Sequence, residues 1–123
     1  MIDRDFLGTV EVFQGFTPGQ LAAVNRCGSI EIYQNGDRIH REGSSADYLW
    51  VAIEGRIELR FDLPGRPTSG ENTISVVSET KAFGWSSFVP PYLYRLSAYC
   101  VSKTCKVLKL DKEQLKYHKI YRL

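Results

Sequence analysis

The chain has 123 residues, of which 43% are hydrophobic and 24% are charged, and its formal net charge is +2. This length and this balance predict one folded domain with its own core and exclude a disordered chain. The apolar runs are too short to cross a membrane, and the N-terminus lacks the layout of a secretory signal, so we expect a cytoplasmic protein.

Cysteine and histidine residues give no sign of a metal site. The chain has three cysteines without a Cys-x-x-Cys pair, and its two histidines, His40 and His118, are far apart in sequence. Zinc sites need closer ligand spacing, so we expect reduced, mostly buried thiols, no metal and no cofactor. Residues 103–123 carry seven basic and two acidic residues. Apolar residues separate these lysines, which fits the solvated side of a strand and helix better than a nucleic-acid surface.

The first organised segment is a helix predicted over about residues 18–27. Thr17 can cap it, Pro18 suits its first position, and Gln20 completes a capping box. Gly28 is a plausible stop. The sequence therefore predicts a short N-terminal helix.

An alternation of apolar and polar residues follows and predicts a β-roll over about residues 29–110. "RIELRF" is the clearest strand, because Ile57, Leu59 and Phe61 point one way and its charged residues the other. "YLWVAIEG" precedes it as a second strand. We expect Glu54–Gly55, between these two strands, to form a tight hairpin turn.

The last segment, "DKEQLKYHKIYRL", begins with a capping aspartate and predicts a helix over about residues 111–123. Many short strands with glycine turns between flanking helices are typical of a mainly β fold. We therefore expect an antiparallel double-stranded β-helix, jelly-roll-like, with short helices at both ends. Residues 1–123 would form this single domain.

The strongest candidate for a binding site is "FGWSSFVPPYLYRLSAYC", residues 83–100. Gly84 allows a sharp turn, and "SSFV" can form one helical turn whose free N–H groups suit a phosphate. Arg95 returns on the next strand, where one buried arginine facing those amides would hold the phosphate. A surface arginine on an edge strand, or an arginine paired with a carboxylate such as Glu79, explains the spacing equally well.

Motifs for catalysis are scarce. "GWSSF" differs from the nucleophile elbow of hydrolases because Phe88 stands where the second glycine is required. A metal-dependent β-roll enzyme would need clustered ligands, and His40 alone within the roll is too few. We expect no catalytic residues and no enzymatic activity.

Two stretches resemble the cyclic-nucleotide-binding domains, the β-roll modules of the catabolite-activator type, and in particular their stand-alone bacterial versions. "GDRIHREGSSADYLWVAIEGRIEL" matches the turn glycines and strands of that family, and the "FGWSSF…YRLSA" stretch is similar to its phosphate-binding cassette. The resemblance implies that Arg95 pairs with the cyclic phosphate and that the backbone around Gly84, Ser86 and Ser87 donates hydrogen bonds to it. Ser87 or Ser97 could add a hydroxyl.

Trp85 departs from the family pattern, which has a glutamate here for the ribose 2′-hydroxyl. An indole offers only an N–H donor, so a charge-assisted hydrogen bond worth about 1.5–3 kcal/mol is missing. Trp85 would then be a pocket residue at the ribose position of an atypical cassette.

The resemblance implies a ligand-sensing regulatory module that binds cyclic AMP, cyclic GMP or another phosphorylated small molecule. It would signal through its C-terminal helix to a protein partner or a second copy of itself. Tyr117, Ile120 and Tyr121 would form the docking face, or equally pack back on the roll. No recognition helix follows in this sequence, so we expect no direct DNA binding.

The alternative is a degenerate domain whose inactive pocket serves protein interaction. Four aromatic residues would then fill the cavity: Trp85, Phe88, Tyr92 and Tyr94.

Overall fold

The structure, a computed structural model, describes residues 4–62, 65 and 70–117. Its helices and strands in chain order are α1 (Arg4–Thr9), α2 (Pro18–Cys27), β1 (Gly28–Gln34), β2 (Arg38–His40), β3 (Tyr48–Glu54), β4 (Ile57–Arg60), β5 (Thr73–Val77), β6 (Ala82–Phe83), β7 (Ser97–Cys100), β8 (Thr104–Asp111) and α3 (Lys112–Tyr117). Short 3₁₀ helices lie at Glu11–Phe13, Gly70–Asn72 and Trp85–Phe88. No helix within the described ranges has the length and apolarity to cross a membrane.

The described strands form two four-stranded antiparallel sheets. The first has the order β1-β8-β3-β6 and the second the order β2-β7-β4-β5. Apart from β4 and β5, the neighbours in each sheet are not consecutive in sequence, as in a roll whose chain passes repeatedly between two layers. The expected mainly β, jelly-roll-like fold with short flanking helices is confirmed.

Helix α2 begins where its capping residue Thr17 dictates, and at Gly28 the chain is already extended and enters β1. The Thr17 side chain accepts a hydrogen bond from the backbone N–H of Gln20, and the Gln20 side chain accepts one from the backbone N–H of Thr17. This capping box satisfies two donors that the first turn leaves unpaired. The buried side chains of Leu21 and Val24 then hold the helix against the first sheet.

Strand β3 is buried on both faces, which shows how the layers are arranged. Leu49, Val51 and Ile53 join the cluster that includes the helices, whereas Trp50 and Ala52 join the cluster between the two sheets. The first sheet therefore lies between the helices and the second sheet. A half-buried strand would have shown one polar face instead.

The hairpin predicted at Glu54–Gly55 is wrong. Strand β3 pairs with β8 and β6, while β4 pairs with β7 and β5, so the turn carries the chain from one sheet to the other. Gly55 has φ +95°, and a Cβ there would lie 2.5 Å from the carbonyl oxygen of Thr104. The glycine thus serves a crossing between layers, which alternation alone cannot distinguish from a hairpin.

The C-terminal helix begins as predicted. The backbone N–H of Gln114 donates to the Asp111 carboxylate over 3.0 Å, and Leu115 is buried in the helix-side cluster. Helix α3 is described from Lys112 to Tyr117. Residues 118–123 lie outside the described residues, and with them two members of the predicted docking face, Ile120 and Tyr121.

Candidate functional site

A sharp turn after β6 builds one side of the site. Gly84 has φ +85° and precedes the 3₁₀ helix Trp85–Phe88. A Cβ on Gly84 would lie 2.8 Å from Cδ1 of Trp50 and 3.2 Å from the carbonyl oxygen of Tyr48. Because both the left-handed backbone and the close approach exclude a side chain, only glycine fits this turn.

The chain returns to the site through Tyr94, which is anchored on two sides. Its backbone N–H donates to the carbonyl of Ser44 over 3.0 Å, and its own carbonyl accepts from the N–H of Gly43 over 2.8 Å. Its hydroxyl donates to the carbonyl of Tyr48 over 2.9 Å and accepts from the Trp50 indole N–H over 3.1 Å. Burial raises the pKa of this hydroxyl. These bonds fix the backbone position from which Arg95 extends.

The turn, the return segment and the facing strands border one open cleft of about 280 Å³. Apolar, aromatic and small polar side chains line it, together with one cation: His40, Leu59, Ser75, Val77, Ala82, Phe83, Gly84, Trp85, Ser86, Tyr94, Arg95 and Leu96. Four of the six residues predicted from the cassette pattern thus meet at this cleft. They are Gly84, Trp85, Ser86 and Arg95.

Arg95 is exposed, which corrects the expectation of a buried arginine. It lies in the bend before β7, at the border of the cleft, where neighbouring strands do not cover it. No ion pair joins Arg95 to a carboxylate in the described part of the chain, and Glu79 is no exception. The guanidinium is therefore available to a ligand at this border.

The two remaining predicted residues, Ser87 and Ser97, are fully buried and do not border the cleft. The Ser87 hydroxyl donates to the carbonyl of Gly84 over 2.9 Å. The Ser97 hydroxyl donates to the Asp62 carboxylate and accepts from the backbone N–H of Glu42 over 2.8 Å. Both hydroxyls therefore support the fold around the cleft.

Asp62 is the centre of a polar network that sequence reasoning missed. Its carboxylate accepts from Ser97 and from the Tyr99 hydroxyl, and Arg38 lies 3.6 Å away. Burial alone would raise the pKa of Asp62, but these hydrogen bonds and the nearby cation outweigh burial and lower it. The network holds β7, and hence the segment leading from Arg95, against the end of β4.

His40 is the second functional candidate that sequence reasoning missed, because the sequence suggests no role for it other than that of a metal ligand. The imidazole is 9% exposed and stacks on Tyr94, with ring centroids 3.9 Å apart and an interplanar angle of 11°. Burial lowers its pKa to about 4, although a polar backbone group of Leu96 close to the ring opposes that shift. The contact with Leu96 does not meet hydrogen-bond geometry, so neither ring nitrogen has a hydrogen-bond partner in the described structure. No cluster of three or more metal-ligating side chains occurs within those residues either.

The four aromatic residues of the inactive-pocket alternative do not share one cavity. Trp85 is 46% exposed and, like Tyr94, lies along the wall of the cleft, which stays open beside them. Phe88 packs in the helix-side cluster. Tyr92 is exposed, and the ammonium of Lys112 lies 4.5 Å from its ring centroid.

Comparison with known proteins identifies the fold. No protein-family model matches the chain. A structure named for a cyclic nucleotide-binding protein of Geobacter metallireducens is 27% identical, with a TM-score of 0.80 over 95% of this chain and 81% of the other. The regulatory domain of Toxoplasma gondii PKA with cAMP is 20% identical, with a TM-score of 0.79 over 93% of this chain and 42% of the other.

A sequence relative agrees with these structures. The CRP-like cAMP-activated global transcriptional regulator of Mycobacterium tuberculosis is 24% identical over 114 residues, which are 91% of this chain. The chain spans about half the length of the curated relatives it matches, since those residues cover 48% of the regulator. The resemblance drawn from the sequence is thus confirmed.

Proposed function

We propose that this chain, which by its fold is a domain of the cyclic-nucleotide-binding type, is a regulatory module that binds a cyclic nucleotide or another phosphorylated small molecule in the cleft. The observation that carries the proposal is the position of Arg95. It borders the cleft, it is exposed, and it forms no ion pair with a carboxylate in the described residues. The comparisons support the same ligand class, because relatives are named for cyclic nucleotides.

The charge of the lining favours an anion. Arg95 is a cation, and no Asp or Glu of the described chain borders the cleft. An arginine can hold two oxygens of one phosphate through parallel N–H donors, which a carboxylate-free wall does not oppose. Gly84 itself borders the cleft, so the backbone of the cassette turn reaches the same space as Arg95.

The walls favour a small ligand with a flat apolar body. Leu59, Val77 and Leu96 offer aliphatic surface, and the exposed indole of Trp85 offers a ring face. The volume of about 280 Å³ lies just below the range for small-molecule sites, roughly 300–1,000 Å³. A mononucleotide-sized phosphate ester suits this space better than a dinucleotide does.

A contact between the site and α3 supplies a route for the signal. Tyr92 lies on the segment that joins the cassette turn to Arg95, and the Lys112 ammonium stands 4.5 Å from its ring centroid. The backbone N–H of Lys112 also donates to the carbonyl of Asp47 over 3.0 Å. A ligand that shifts the return segment would therefore change the packing at the start of α3, and we propose that a partner or a second copy reads this change.

Thermal unfolding with cyclic AMP and cyclic GMP tests the proposal. A ligand at a hundred times its Kd adds about 2.7 kcal/mol to the free energy of unfolding. Arg95→Ala should abolish the shift in melting temperature. Arg26→Ala, which removes an exposed arginine of α2 away from the cleft, should keep it. No shift with either nucleotide at millimolar concentration would refute cyclic-nucleotide binding.

A further inference from the structure

His40 occupies a position in which an imidazole is an unfavourable choice. The ring lies between aromatic neighbours, with its centroid 3.9 Å from Tyr94, 5.8 Å from Phe83 and 6.3 Å from Trp50. Both ring nitrogens are shut off from solvent, and no group of the described residues, the nearby backbone of Leu96 included, pairs with them in hydrogen-bond geometry. Most buried polar side-chain atoms in proteins are paired, so this unpaired ring requires an explanation.

Packing alone does not explain the histidine. The side chains that contact the ring, those of Trp50, Phe83 and Tyr94, are aromatic, and a phenylalanine or leucine would fill such a site without burying unpaired nitrogens. A bulge between Arg38 and His40 interrupts the pairing of β2 with β7. Arg38 faces solvent, yet His40, two residues later, is buried at the cleft.

We propose that His40 is the inner hydrogen-bonding contact of the cleft and reads the polar edge of a flat heterocycle on the ligand whose phosphate Arg95 holds. This inference rests on the proposed function. A neutral imidazole has one N–H donor and one acceptor nitrogen, so it can pair with either kind of group on a ring edge. His40, on the inner wall of the cleft beside Tyr94, would then distinguish ligands by the hydrogen-bonding groups of their heterocycles. Arg95 would hold the anion at the border of the cleft.

The contact requires the inner wall to open, and the chain links that opening to Arg95. Tyr94, which stacks on His40, directly precedes Arg95 in sequence. A ligand drawn to the guanidinium therefore acts on the segment that covers the imidazole. Because the closed state leaves His40 unpaired, a ligand that pairs with it interacts better with the open state and increases the population of that state.

The test compares three ligands on four proteins by calorimetry at neutral pH. Cyclic AMP and cyclic GMP carry heterocycles with polar edges, whereas phenyl phosphate carries a flat ring without one. Wild type is compared with His40→Phe, which keeps a ring and removes both nitrogens, and with His40→Leu, which guards against poor packing of the larger ring. His40→Gln restores a hydrogen-bonding amide.

We expect the Phe and Leu variants to weaken the tighter cyclic nucleotide by about two- to tenfold, the value of one neutral hydrogen bond. Phenyl phosphate should bind all four proteins within about twofold, and the Gln variant should recover part of the loss. Without ligand, the Phe or the Leu variant should melt no lower than wild type, because either removes two unpaired buried nitrogens.

Equal weakening of all three ligands, or no weakening, would overturn the role of His40 while leaving the proposed function standing. So would phenyl phosphate binding as tightly as the better nucleotide. Melting of both apolar variants well below wild type would make His40 a structural residue. If wild type binds none of the three ligands, the proposed function fails and the inference fails with it.

Discussion

The buried imidazole of His40 should make the free protein sensitive to mild acid. Burial lowers its pKa from 6.5 to about 4 in the folded state. Between these two values the unfolded chain binds a proton that the folded chain does not, so stability falls as the pH falls. The full contribution is present above about pH 6.5 and is lost on the way to about pH 4.

The size of the effect follows from this pKa difference. Between about pH 7.5 and pH 5, protonation of the unfolded state should lower the free energy of unfolding by about 2 kcal/mol. For a domain of this size the melting temperature should fall by roughly 6–10 °C from this group alone. His40→Phe removes the titrating group. Over the same pH interval the free energy of unfolding of this variant should therefore fall by about 2 kcal/mol less than that of wild type.

Urea denaturation of wild type and His40→Phe at both pH values gives the comparison. His118 and the carboxylates are common to the two proteins, so their contributions cancel in the difference. An equal loss of stability in the two proteins would show that His40 titrates normally in the folded state. The imidazole would then be accessible to water, contrary to the burial described above.

Three further predictions concern the walls of the cleft. Gly84→Ala should lose more stability in urea than Gly43→Ala: both glycines have φ near +85°, worth about 1–2 kcal/mol each, but only at Gly84 would the new Cβ meet an indole at 2.8 Å. Ser97→Ala should lower the free energy of unfolding by about 1–3 kcal/mol, because Asp62 and the Glu42 amide lose a buried partner, while ligand affinity stays within about twofold. In calorimetry, 2′-deoxy cyclic AMP should bind within about twofold of cyclic AMP, since no carboxylate of the described chain borders the cleft to accept the 2′-hydroxyl.

Each of these expectations has a clear opposite. Equal losses for the two glycine variants would mean that Trp50 moves aside easily. A strong loss of affinity with unchanged stability in Ser97→Ala would assign that hydroxyl to the ligand. A tenfold preference for the ribonucleotide would reveal a group that recognises the sugar.

The strands could be predicted from the sequence better than their partners could. Alternation identified the strand that ends at Glu54 and the one that begins at Ile57, because the period of side chains depends on local geometry. Whether these strands pair depends on residues such as Thr104, whose carbonyl packs against Gly55 from the other end of the chain. Glycine turns look alike in sequence whether they close a hairpin or cross between sheets.

The site shows the same division between local and distant information. The Gly84 turn and its short helix follow from nearby residues, and they form where the cassette pattern predicts them. The exposure of Arg95, the partners of Ser97 and the burial of His40 do not follow from nearby residues. The bulge that separates Arg38 from His40 arises from pairing with β7, nearly sixty residues later, so alternation along β2 could not reveal it.

The most direct test of the central claim is the calorimetric Kd for cyclic AMP and cyclic GMP on wild type and three arginine variants. If Arg95 holds the phosphate, Arg95→Ala should weaken the tighter nucleotide by at least about tenfold, as loss of a charge-assisted hydrogen bond requires. The Kd of Arg95→Lys should lie between those of wild type and Arg95→Ala, because an ammonium keeps the charge but not the paired donors. Arg26→Ala should match wild type. Equal affinities for all four proteins, or no binding to any of them, would contradict a phosphate site at Arg95.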